Sequence, residues 1–175
     1  MNWIKLEHLL LKAQPERAVT TAPALDHARL CEQALRLAAG LKVRGVRQMA
    51  VHLEDAADLA VALLGAWRAG VSVLLPSDLQ PQTRQRWSNE VDLWLTDQPG
   101  DTHPGDFQQP PLDAAALDLD HCRLSLCTSG SSGEPKRIEK NLRQLANEVE
   151  ALEQLWGADL GPACVIGSVA TQHIY

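Results

Sequence analysis

The segment Val71-Ser72-Val73-Leu74-Leu75 is almost wholly apolar, follows directly on Gly70 and is closed by Pro76. A strand that alternates apolar with polar residues can leave one face in water, whereas one that is apolar on both faces must be covered on both. Strands of that kind belong to parallel sheets whose crossover connections are helices. This one short run therefore restricts the chain to an α/β architecture more firmly than any percentage of its composition.

The flanking segments supply the covering helices. Apolar side chains at Leu30, Ala34, Leu37, Ala38 and Leu41 recur at helical spacing, which predicts a helix over about 25–43. Residues 48–53 read as a short strand. Asp55 then suits a helix cap, with Asp58 in the first turn where the helix dipole favours an acid, and Gly70 suits the C-terminal cap after Leu59, Leu63, Leu64 and Trp67. A short helix over 82–88 and a strand over 91–95 follow. From 97 to 120 the chain is rich in proline and aspartate without periodicity and reads as a long surface connection with no assigned chemistry. Beyond it, 121–127 reads as a strand and 142–156 as a helix whose Leu142, Leu145, Val149, Leu152 and Trp156 share one face; Asn141 is its expected cap, with Gln144 completing a capping box. Cys164 to Ala170 reads as a final strand. The expected organisation is an α/β lobe over 1–96, a connection over 97–120 and a segment over 121–175, with a mostly parallel sheet flanked by helices.

Composition excludes several classes. The formal net charge of −6 disfavours a nucleic-acid partner, the nearest basic cluster being Lys136, Arg137, Lys140 and Arg143. No apolar run reaches the length of a membrane span, and charged residues interrupt the N-terminus where a signal peptide would be apolar, so a cytoplasmic location is expected. The four cysteines, Cys31, Cys122, Cys127 and Cys164, form no C-x-x-C pair and read as buried free thiols; no metal ligands are assigned. Trp67 and Trp156 are expected in the core, and His52, His103 and His121 as structural side chains.

The chemistry lies in Thr128-Ser129-Gly130-Ser131-Ser132-Gly133-Glu134-Pro135-Lys136. Glycines let consecutive backbone N–H groups converge on an anion, hydroxyls add donors, and a lysine adds a full charge, which is a combination suited to polyphosphate. In a Walker A loop the lysine directly follows the second glycine and precedes a hydroxyl; here Glu134 and Pro135 intervene and Arg137 follows, so that motif is excluded.

The segment instead resembles the phosphate loop of the adenylate-forming (AMP-binding) ligases, the acyl- and aryl-CoA synthetase superfamily, whose pattern [ST]-[ST]-G-[ST]-[ST]-G-x-P-K is met at every specified position. The stretch 49–53 with 58–76, including Arg68-Ala69-Gly70, is similar to an early strand–helix–strand unit of that family, and Ser168 to Tyr175 resembles its next motif. The resemblance implies the N-terminal part of the large domain of such a ligase. It also implies activation of a carboxylic acid by ATP and Mg2+ to an acyl-adenylate with release of pyrophosphate, then transfer to the thiol of CoA or of a carrier protein's phosphopantetheine. By the same resemblance Thr128, Ser129, Gly130, Ser131, Ser132, Gly133 and Lys136 would contact the β- and γ-phosphates, Lys136 would be the catalytic cation, and His173 would lie near the acyl and thiol site. The family's magnesium-binding acid, ribose-binding aspartate, acyl pocket and late catalytic lysine have no counterpart before Tyr175, so the chain is expected to be a truncated piece, inactive alone. Two other readings stay open: a non-catalytic module that binds a nucleotide or a protein, and, less favoured, a phosphotransferase with an unusual loop.

Overall fold

The computed structural model describes residues 3–22, 24–128, 136–160 and Thr171. A 3-10 turn at Leu6–His8 leads to a small antiparallel hairpin, β1 (Ala18–Thr21) with β2 (Ala24–Asp26), which the sequence reading did not anticipate. Helix α1 (His27–Val43) starts after this hairpin, not at Leu25, because Asp26 caps it: its carboxylate accepts from the Arg29 N–H at 2.8 Å. Strand β3 (Gln48–His52) is followed by α2 (Ala56–Ala69), capped as the sequence suggested. Asp55 accepts from the N–H groups of Ala57 and Asp58 at 2.7 and 3.2 Å, and Gly70 ends the helix in the left-handed conformation, φ 78°. Then come β4 (Ser72–Leu75), α3 (Pro81–Trp87) and β5 (Leu93–Thr96).

The main sheet has five strands in the order β5-β3-β4-β6-β7, where β6 is Arg123–Thr128 and β7 is Lys136–Asn141. Strands β5, β3, β4 and β6 run parallel and β7 pairs antiparallel with β6, an α/β sheet flanked by helices as its all-apolar β4 implied. Side chains alternate across it. Met49, Val51, Val73, Leu75, Leu95, Leu124 and Leu126 pack with Leu37, Leu41, Val61 and Leu64 of α1 and α2. On the opposite face Ala50 and Leu74 meet Trp87 of α3, with Trp94 and Cys127 beside them. Trp67 is buried, and its indole N–H donates to the Arg123 carbonyl at 3.1 Å.

Two expectations are corrected and one element is added. The sequence reading assigned nothing between the Gly/Ser loop and the helix expected from 142; Lys136–Asn141 forms β7 there, and helix α4 (Leu142–Leu160) starts at the expected residue. The connection over 97–120 is not purely superficial. It holds a 3-10 turn at Pro104–Asp106, buries Phe107 and Leu117, and bonds back through Leu112 N–H to the Leu35 carbonyl and Leu117 N–H to the Glu7 carbonyl. Finally, Trp156 is not core. The Asn141–Gln144 capping box forms, with both bonds at 3.0 Å, and Leu142 is fully buried, but Trp156 is 53% exposed and Leu152, Leu155 and Leu160 are similarly open. The stripe is present in α4; among the described residues only its first turns have a core to meet. The strand expected over Cys164 to Ala170 lies outside the described residues.

Candidate phosphate-binding site

Four parallel strands end at one edge of the sheet, and open α/β sheets bind ligands outside their carboxyl ends. There β3 ends at His52, β4 leads into Ser77, Asp78 and Leu79, and β5 leads into Asp97, Gln98 and Pro99; with Glu54 these residues line a cleft of about 400 Å³. Strand β6 ends at the same edge in Thr128, two residues past the Leu75–Leu126 register pair.

Thr128 and Lys136 are cross-strand partners, the last pair of the β6–β7 ladder. Both ends of the Gly/Ser loop are therefore held side by side at the carboxyl edge, with the Lys136 side chain exposed. Of the phosphate-contact residues expected from the sequence, Thr128 closes β6 and Lys136 opens β7; Ser129, Gly130, Ser131, Ser132 and Gly133 lie outside the described residues, as does His173. Thr171, two residues before His173, donates its hydroxyl to the carbonyl of Leu53, at the exit of β3.

The cleft is acidic, and the carboxylates of Asp78 and Asp97 are engaged. The Thr83 hydroxyl, donating at 2.5 Å, is the main cause holding Asp78 below the ordinary carboxylate range, helped by the Gln80 N–H. Asp97 accepts from the Glu54 N–H at 2.8 Å. His103 Nδ1 accepts from the Gly105 N–H at 3.2 Å, which leaves its Nε2–H facing Asp58 and Asp97 at 3.4 and 3.6 Å; burial pushes Asp58 up, and His103 opposes that. His103 is thus a structural linker, as expected. Arg84 of α3 braces the β5 exit: its guanidinium donates to Gln98 Oε1 at 2.9 Å and to both Asp101 oxygens, and lies 4.6 Å from the Trp94 ring centre. Among the described residues no group of three or more His, Cys, Asp or Glu is arranged to hold a metal. Three of the four thiols fit the reading of free cysteines, Cys31 and Cys122 buried and Cys127 half-buried: burial raises Cys31 and Cys127 and pushes Cys122 up to about 11, while Cys164 lies outside the described residues. The sequence reading gave Arg137 only as a member of a basic cluster and did not single out Glu90; the fold alone brings the two within 2.7 Å.

No family model matches the chain. Its fold is that of the N-terminal subdomain of adenylate-forming enzymes. The o-succinylbenzoate CoA synthetase MenE of Bacillus subtilis, solved with its acyl-adenylate intermediate OSB-AMP, matches over 89% of this chain and 37% of its own, at 18% identity and a TM-score of 0.71. The nonribosomal peptide synthetase FmoA3, in an α-methyl-L-serine-AMP-bound form, matches over 88% of this chain and 20% of its own, at 20% identity and a TM-score of 0.64. The NpsA N-terminal subdomain of Klebsiella oxytoca matches over 70% and 37%, at 21% identity and a TM-score of 0.56. In sequence, the pyochelin synthetase PchF of Pseudomonas aeruginosa is 29% identical over an alignment 127 positions long that covers 65% of this chain and 7% of that protein. The likenesses in fold agree with the fold that the loop's resemblance implied. The chain spans well under half of each of these relatives. Among the described residues no helix is long and apolar enough to cross a membrane.

Proposed function

We propose that this chain is the phosphate-loop-bearing N-terminal part of a cytoplasmic enzyme that activates a carboxylic acid with ATP. The observation that carries the reading is that Thr128 and Lys136, the two ends of a sequence segment that meets [ST]-[ST]-G-[ST]-[ST]-G-x-P-K at every specified position, are paired at the carboxyl edge of a sheet with the adenylate-forming fold. In the proposed reaction a carboxylate oxygen attacks the α-phosphorus of ATP, the bond from that phosphorus to the bridging oxygen breaks, and pyrophosphate leaves with the bond's electrons. Charge grows on the leaving group as the bond stretches, and loop N–H groups, hydroxyls and the Lys136 ammonium would stabilise it there more than in the ground state. Mg2+ would neutralise the triphosphate further, through ligands outside the described residues. The acyl group would then pass to a thiol, of CoA or of a carrier protein's phosphopantetheine; relatives named as a CoA synthetase and as peptide synthetases support either acceptor.

The test is carboxylate-dependent exchange of labelled pyrophosphate into ATP, run on the whole product of the reading frame that contains this chain. Lys136→Ala is expected to lower the rate by about 10²-fold, the scale of losing one donor aimed at developing charge. An unchanged rate would overturn the role of Lys136, and absence of exchange with every acid in a broad panel would favour a non-catalytic binding module. The 175-residue chain alone is expected to release no pyrophosphate.

A further inference from the structure

Among the described residues β7 is an edge strand, and its composition is unusual. Of Lys136, Arg137, Ile138, Glu139, Lys140 and Asn141 only Ile138 is apolar, and it is only partly buried against the core. Strands polar on both faces specify their pairing weakly, because no buried stripe resists slippage or fraying. The far end of β7 is secured otherwise: Leu142 is fully buried, its N–H donates to the Cys122 carbonyl at 3.0 Å, and the Arg143 N–H donates to the Leu119 carbonyl at 2.9 Å. The loop end has no such apolar anchor.

What it has is Arg137, which pairs with Cys127 in the ladder and turns its side chain to the sheet face opposite α1 and α2. There the guanidinium makes three contacts with other elements. Its Nε donates to the Oγ of Ser125, a buried hydroxyl on β6 diagonal to it, at 3.1 Å. Its Nη1 donates to Glu90, in the turn after α3, at 2.7 Å. Its plane lies 5.8 Å from the Trp87 ring centre. Glu139 of the same strand adds a fourth, at 3.3 Å. The Arg137 side chain is 29% exposed and that of Glu90 46%, so solvent screens the pair from the Glu90 side. A lysine could not make these contacts together, since only the guanidinium combines several fixed donors with a flat face.

We propose that Arg137 is the positioning residue of the phosphate loop: it clamps the loop end of β7 to β6 and α3 and so keeps Lys136 opposite Thr128. Because adjacent strand residues face opposite ways, Arg137 can hold the strand from one face while leaving the neighbouring Lys136 side chain free for an anion. The link to anion binding rests on the function proposed above; the clamp itself does not.

The test uses the intact chain. Native-state amide exchange is compared between the wild type, Arg137→Ala, Arg137→Lys and Glu90→Gln. In Arg137→Ala the amides at the loop end of β7 are expected to exchange about tenfold faster or more, the scale of one to two charge-assisted hydrogen bonds, while those of β3 keep their protection. Glu90→Gln should move the same amides in the same direction by less, and Arg137→Lys, which keeps the charge but not the fork of donors, should recover only part of the loss. Unchanged β7 exchange in Arg137→Ala, or an Arg137→Lys chain as protected as the wild type, would overturn the clamp. If Arg137→Ala loses protection throughout, Glu90→Gln decides by the same criterion. Dissociation constants for MgATP, measured on the whole product of the reading frame that contains this chain, separate the two levels. Weakening by both Lys136→Ala and Arg137→Ala supports the positioning role. Weakening by Lys136→Ala alone overturns that role but not the phosphate loop. No effect of Lys136→Ala overturns the phosphate-loop reading and leaves the clamp to be judged by exchange.

Discussion

At the scale of single residues, the strongest local claims concern caps and thiols. Asp55 accepts two backbone N–H groups at the start of α2. Asp55→Ala should therefore cost about 1 kcal/mol of stability, read as a lower urea midpoint with an unchanged slope. Cys31 and Cys122 are buried and Cys127 half-buried, and burial raises all three thiols, Cys122 to about 11. The thiolate is the reactive form, so in a Cys164→Ser chain at pH 7 all three should resist maleimide until denaturant is added. Rapid labelling of the folded chain would contradict their placement. Gly65 is a residue whose lack of a side chain matters through contact and not through φ: a Cβ there would stand 2.7 Å from Leu37 Cδ2 and 2.8 Å from the Ala34 carbonyl oxygen. Because one of these neighbours is backbone, Gly65→Ala should force α1 and α2 apart and destabilise by about 1–3 kcal/mol, in spite of alanine's better helix propensity.

At the scale of elements, α4 separates what a periodic pattern says from what packing does. Its apolar stripe was legible, and so was its capping box. Leu142→Ala should cost about 2–5 kcal/mol because that side chain is fully enclosed, whereas Leu155→Ala and Trp156→Ala should change this chain's stability by less than about 0.5 kcal/mol. Equal losses along the stripe, in thermal or urea unfolding, would mean that the distal half is covered. Strand β7 was illegible for the opposite reason. Its single apolar residue offers no period to count, and its existence depends on the hydrogen bonds that β6, distant across the loop, supplies. Charged side chains on such an edge also discourage pairing with other chains, which is what an exposed ladder needs.

At the scale of the whole molecule, the ends of the sheet are tied by aspartates, and this sets the response to acid. Asp101 is held below the ordinary carboxylate range chiefly by Arg84, Asp78 chiefly by Thr83, and Asp92 chiefly by the Gln48 and Arg47 N–H groups. A carboxyl whose folded value lies below its unfolded one binds protons less readily when folded, so its contribution is fully present above the unfolded value near 4 and is lost as pH falls through the folded value. Asp58, raised by burial, has the opposite sign and offsets part of this. The urea midpoint should thus hold from pH 7 to about 5 and drop below about 4; Arg84→Ala should lower the midpoint at pH 7 and flatten the drop, by removing the Asp101 share. A midpoint that rises on acidification would contradict these assignments.

The same scale shows how far the sequence reached. Its caps at Asp55, Gly70 and Asn141, the apolar β4 and the Thr128-to-Lys136 segment were determined locally, because a cap, a buried run and a glycine-rich loop each depend on residues within a few positions. From these followed the α/β class and the choice of candidate loop. Only the tertiary structure decided that β5 returns to the far side of β3, that 97–120 buries Phe107 and Leu117, that α4 keeps its distal stripe open, and that Arg137 reaches Glu90 across 47 positions. Each of those depends on which strands exchange hydrogen bonds and which faces meet, and such pairings leave no periodic trace in the residues that make them.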